Sequence, residues 1–161
     1  IILNHYCLLY YIKYTLKTVN VSDRQYNAVI NSRPFWWKRV YLASEVDKLL
    51  SIKGSDWAKD ETSWNGYKDM NLSVLEDVCP EIVIDSYNNS KVGLILSGIT
   101  GDNQQGLCEG ANYSSSEYLL CGLPVVSTKS QWGRDYWFDK DNSIICESNE
   151  YSVKKSSFFD L

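Results

Sequence analysis

Residues 89–97 read NSKVGLILS and residues 109–128 read EGANYSSSEYLLCGLPVVST, and these two stretches decide the fold. Val92 to Leu96 is a near-continuous apolar run between polar segments, the pattern of a parallel strand covered on both faces, and it predicts a central strand. A polar, Gly-containing loop follows from Ser97 to Gly106. A helix ending at the Cys121-Gly122 stop comes next, and then a strand over Pro124 to Thr128. Strand, loop, helix and strand make one β-α-β unit.

The same alternation extends upstream. Tyr26 to Asn31 (YNAVIN) alternates and carries β-branched residues, which predicts a strand that Ser32, Arg33 and Pro34 break. From Lys38, the residues Val40, Leu42, Ala43, Val46 and Leu49 recur at three- and four-residue spacing, which predicts a helix laid on a sheet. Leu49 to Ile52 is a short apolar run ended by Gly54, and Ser55 to Asp69 reads as a long loop. Leu72 to Leu75 predicts a further strand, followed by a turn at Asp77 to Pro80. Over Glu81 to Asn89 two rules conflict: the run Ile82, Val83, Ile84 favours a strand, whereas Pro80 before Glu81 fits the first turn of a helix. Helix is the preferred reading. The whole predicts an α/β, doubly wound parallel sheet, in which ligands bind beyond the carboxyl ends of the strands. The loops after Asn31, Leu96 and Thr128 are therefore where chemistry is expected.

With 161 residues, 44% of them apolar, the chain suits one domain with a full core. The apolar start around Cys7 to Tyr11 is interrupted by Lys13 and Lys17, so neither a membrane span nor a signal peptide is predicted. Met70 is the sole methionine and residue 1 is not one, which predicts a fragment of a longer reading frame. A net charge of -4 disfavours nucleic acid and anionic bilayers as partners, so any phosphate binding must be local. Cys7, Cys79, Cys108, Cys121 and Cys146 are odd in number and form no CxxC pair. That argues against a zinc site or a disulfide framework and for reduced thiols in a cytoplasmic protein.

Two constellations carry chemistry. Glu109 and Glu117 are separated by seven residues around a helix start, a span of about 12 Å if wholly helical, comparable to the reach from a sugar across a diphosphate to a ribose. Carboxylates accept hydrogen bonds from hydroxyls, and the free backbone N–H groups of a helix start face an anion. Gly110 would let the backbone approach a ligand closely. The competing reading of Glu117 is a capping box with Ser114. The second constellation, Arg33-Pro-Phe-Trp-Trp-Lys38-Arg39, places cations at a strand-to-helix turn, where a planar fork and a point charge can close on a diphosphate. The competing reading is a solvated basic turn with Trp36 and Trp37 packed on the domain. His5, the single histidine, lies outside both constellations.

The Glu-x7-Glu element with EYLLCGLPVVST resembles the donor-binding signature in the C-terminal domain of retaining GT-B glycosyltransferases, group 1 (family 4), and Arg33 with Lys38 resembles their diphosphate-clamping pair. NSKVGLILS and GRDYWFDKDNSIIC, residues 133–146, are similar to that class as well, so the likeness runs from about Tyr26 to Asn149. It implies a Rossmann-like sheet forming the C-terminal half of a GT-B fold, with residues 1–25 a segment or interdomain linker, 26–150 the nucleotide-sugar donor domain and 151–161 a C-terminal segment. By the same resemblance Arg33 and Lys38 hold the donor phosphates, Glu109 contacts the sugar, Gly110 and Ala111 offer backbone N–H groups, and Glu117 binds the ribose. Transfer to an unknown acceptor would proceed with retention, without metal or cofactor. The partner would be an N-terminal acceptor domain of the same chain, through which any peripheral membrane contact would come. Two departures stand out: Gly98 to Cys108 is longer than the usual link, and Trp132 precedes Gly133 where a second glycine is common. They give weight to an alternative, a non-catalytic nucleotide-sugar- or partner-binding module of the same fold.

Overall fold

Ala28, Val29 and Ile30 are consecutive and all buried, a pattern that requires cover on both faces of a strand. In the computed structural model, which describes residues 21–33, 35–53, 70–98, 112–129 and 137–158, they form the middle of β1 (Tyr26–Asn31). The further strands are β2 (Leu49–Lys53), β3 (Leu72–Glu76), β4 (Ser90–Ile95), β5 (Val125–Thr128) and β6 (Ser143–Cys146). They pair as one six-stranded sheet in the order β3-β2-β1-β4-β5-β6, every pair parallel. The helices are α1 (Pro80–Asn88), α2 (Tyr113–Leu120) and α3 (Glu150–Ser157).

The predicted strands at Tyr26, Leu72, Val92 and Pro124 are all present, and β4 lies in the middle of the sheet as expected. The conflict over Glu81 to Asn89 resolves as helix. Pro80 takes the first helical position after an extended Cys79, Glu81 sits in the first turn at the positive end of the dipole, and Ile84, Tyr87 and Asn88 bury one face.

The helix predicted from Lys38 is not there. Two short 3₁₀ turns, Trp36–Lys38 and Val40–Ala43, stand in its place, and Leu49 already belongs to β2. The reason is the backbone: Arg39 at φ 48° and Lys48 at φ 51° are left-handed, which an α-helix cannot contain. Val40, Leu42, Ala43, Val46 and Leu49 are nevertheless all buried. Their spacing reported which side faces the core, not a continuous hydrogen-bond ladder.

Alternate residues of the strands feed two cores. Ala28, Ile30, Val92 and Leu94 pack under Val40, Leu42, Val46 and Val153 of α3, while Val29, Leu50, Ile95 and Val125 pack under Ile84 and Tyr87 of α1 and Tyr118 of α2. Tyr118 reaches the sheet where β4 has Gly93, and a Cβ there would collide with its ring. Gly122, at φ 65°, takes the left-handed step that ends α2 and turns the chain into β5. Among the described residues no helix is long and apolar enough to cross a membrane.

Candidate functional site

The strand order reverses direction between β1 and β4, so the chain leaves their carboxyl ends toward opposite sides and opens a crevice there. Asn31 and Ser32 after β1, Leu96 and Ser97 after β4, Lys38 from the first 3₁₀ turn, and Asn112 at the start of α2 line a recess in it. The Ser32 hydroxyl is buried and has no hydrogen-bond partner among the described residues. A buried hydroxyl left unsatisfied costs free energy, and a ligand oxygen would relieve it.

Asn112 caps α2: its side chain accepts from the Ser115 N–H at 2.9 Å, and the Ser115 hydroxyl returns to the Asn112 carbonyl at 2.8 Å. This sets aside the competing reading of Glu117 as a capping box with Ser114. Asn112, a strong cap former, lies two residues earlier, and Ser114 donates its hydroxyl to the Asn31 carbonyl at 2.7 Å instead. That bond fixes the helix start over the end of β1. The Tyr113 and Ser114 amides, at the positive end of the helix, have no intrahelical acceptor, and Asn112 next to them lines the recess.

The basic cluster separates into two roles. Arg33 is exposed immediately after β1, and Lys38 is half-buried and lines the recess. Between them Phe35 and Trp37 stack with ring centroids 4.2 Å apart, which stiffens the turn. Arg39, by contrast, is 3% exposed. Its guanidinium donates through Nε to the Leu96 carbonyl and through Nη2 to Thr128 Oγ1, each at 2.7 Å, and so ties the turn to the ends of β4 and β5. The Gly98 N–H adds a bond to the Trp37 carbonyl at 3.3 Å. Arg39 is an anchor for Lys38, a role its place in a run of surface-like charges does not reveal.

Glu117 lies one turn further along α2, facing α1. The Tyr87 hydroxyl donates to its Oε2 at 2.8 Å and accepts from Asn31 Nδ2 at 2.5 Å. The Tyr118 hydroxyl accepts the Asn31 N–H at 2.7 Å, and the two tyrosine rings meet edge to face at 4.8 Å. Burial raises both hydroxyls well above their ordinary pKa of 10.0, so they stay protonated. Burial, with Glu117 adding to it, also pushes the Cys121 thiol up to about 12. Sequence reasoning singled out neither Asn31 nor Tyr87, because a tyrosine on an apolar helix face and an asparagine at a strand end have ordinary structural uses.

The structure thus brings Lys38 and the start of α2 to one recess, with Glu117 a turn further along α2; Arg33 is exposed after β1 and is not among the residues that line it. Glu109, Gly110 and Ala111 lie outside the described residues, as do Trp132, Gly133 and His5.

No protein-family model and no curated protein sequence matches the chain. Solved structures do. AviGT4, a glycosyltransferase involved in avilamycin A biosynthesis, superposes with a TM-score of 0.61 at 15% identity over 86% of this chain and 44% of its own. An alpha-glucosyltransferase in complex with UDP and a mismatched DNA gives 0.61 at 15% identity over 94% and 47%. WaaG, a glycosyltransferase involved in lipopolysaccharide biosynthesis, gives 0.58 at 15% identity over 92% and 45%. The chain has the Rossmann-like α/β fold of one half of these GT-B glycosyltransferases, and it spans less than half the length of each.

Proposed function

We propose that this domain binds a nucleoside-diphosphate sugar in the crevice between β1 and β4 and is the donor-binding half of a glycosyltransferase that transfers with retention. The observation that carries the reading is the recess where Ser32, Lys38, Ser97 and the start of α2 converge around a buried hydroxyl without a partner among the described residues. Hydroxyls, a cation and the residue that starts a helix, gathered around one recess, suit a diphosphate. In this reading Lys38 and Arg33 neutralise the charge that builds on the leaving diphosphate, which is the electrostatic part of catalysis. Glu109 holds the sugar hydroxyls with the Gly110 and Ala111 amides beside it, and Glu117 takes the ribose. A second domain would complete the cleft and bring the acceptor. The alpha-glucosyltransferase of the same fold is held with UDP, which supports UDP as the first ligand to try.

Calorimetry on the 161-residue chain with UDP and GDP tests the reading. One of the two should bind, and Lys38→Ala should weaken it about 10- to 100-fold, the size of one lost charge-assisted contact. A folded chain that binds neither, or binding indifferent to Lys38→Ala, contradicts it. In the full-length protein, donor binding without transfer or donor hydrolysis would instead identify a non-catalytic module.

A further inference from the structure

We infer that Tyr87 is a positioning residue that orients the Glu117 carboxylate for the ribose hydroxyls of the bound nucleotide. The inference rests on the reading of Glu117 given above and adds a residue to it from the opposite helix.

Glu117 stands on α2 while Tyr87 stands near the end of α1, and the hydroxyl spans the groove between them. The Tyr87 ring is fully buried, so its packing could be met by phenylalanine; what needs a tyrosine is the oxygen. That oxygen is held from two sides. It donates to Glu117 Oε2 at 2.8 Å and accepts from Asn31 Nδ2 at 2.5 Å, while Tyr118 braces the ring edge to face. Asn31 is also fixed, through its N–H to the Tyr118 hydroxyl and its carbonyl to Ser114. The last residue of β1, where the crevice opens, is thereby linked through Tyr87 to the carboxylate. A glutamate on a helix surface samples several rotamers, and fixing one oxygen removes most of that freedom before a ligand arrives. The remaining oxygen then meets the nucleotide's diol preorganised, and preorganisation is worth affinity because less ordering is left to the binding step.

The test compares UDP with 2′,3′-dideoxy-UDP, which lacks both ribose hydroxyls, by calorimetry. The unmutated chain should prefer UDP about 10-fold or more, and Glu117→Ala should abolish that preference. Tyr87→Phe should cut the preference several-fold, while Ser157→Ala, which removes a buried hydroxyl on α3 outside this network, should keep it. A preference unchanged in Tyr87→Phe but lost in Glu117→Ala overturns the role of Tyr87 and leaves the nucleotide site standing. No preference in the unmutated chain, or a preference indifferent to Glu117→Ala, overturns both. A second readout needs no variant: the buried Tyr87 hydroxyl proton should be a slowly exchanging NMR resonance that moves on adding UDP and not on adding the dideoxy analogue. A resonance that responds identically to the two ligands overturns the proposal.

Discussion

Arg39 offers a test in which two opposing effects have calculable sizes. Replacing it with alanine removes two charge-assisted hydrogen bonds at 2.7 Å from a buried group, to the Leu96 carbonyl and to Thr128. Bonds of that kind contribute about 1.5–3 kcal/mol each. The Leu96 carbonyl keeps a bond from Thr128 Oγ1 at 3.3 Å, so the loss falls toward the lower end, about 3 kcal/mol. The backbone acts in the other direction. Arg39 sits at φ 48°, a conformation that costs a residue with a Cβ about 1 kcal/mol and costs glycine nothing comparable. Arg39→Gly should therefore be more stable than Arg39→Ala by about 1 kcal/mol, reversing the usual order for these residues. Urea unfolding followed by tryptophan fluorescence measures both. If Arg39→Ala unfolds within 1 kcal/mol of the parent, the anchor is not holding the turn; if glycine is less stable than alanine, the left-handed assignment is wrong.

Gly93→Ala should destabilise the domain by about 1–3 kcal/mol, because the added methyl meets the Tyr118 ring; a variant of unchanged stability in the same urea assay would refute that packing. The pH dependence follows from Tyr87 and Tyr118, whose pKa values are raised by burial above the ordinary 10.0. Each folded-state tyrosine keeps a proton that its unfolded counterpart loses, so their stabilisation is fully present below pH 10 and is lost as pH climbs from there toward the folded value. Well above pH 10 each should add a slope of about 1.4 kcal/mol per pH unit, and Tyr87→Phe should remove one of the two; equal slopes in variant and parent would count against it.

Much of the sheet was legible because parallel strands covered on both faces leave apolar runs, as Val92 to Leu96 does. The helix from Lys38 was misread because spacing carries no information about the φ of Arg39 or Lys48. The recess lies beyond Asn31 and Leu96, two of the three strand ends after which chemistry was expected, where the strand order reverses. The bonds inside it were not legible. Asn31 meets Tyr87 and Tyr118 across the sheet and two helices, and no local pattern encodes a partner so distant in the chain. The competing Ser114 cap is absent for a nearer reason: Asn112 takes the cap position, and the Ser114 hydroxyl bonds the Asn31 carbonyl instead.

The central claim is that a nucleoside diphosphate enters the crevice between β1 and β4, and NMR mapping of backbone amides during a UDP titration tests it most directly. Ser32, Ser97 and Tyr113 to Ser115 should shift together, saturably, with Lys38→Ala weakening the response. A groove at the other end of the sheet, lined by Gln25, Tyr26, Lys48 and Asn71, serves as the internal control and should stay silent. Shifts confined to that groove, or none at all in the folded chain, would contradict the account.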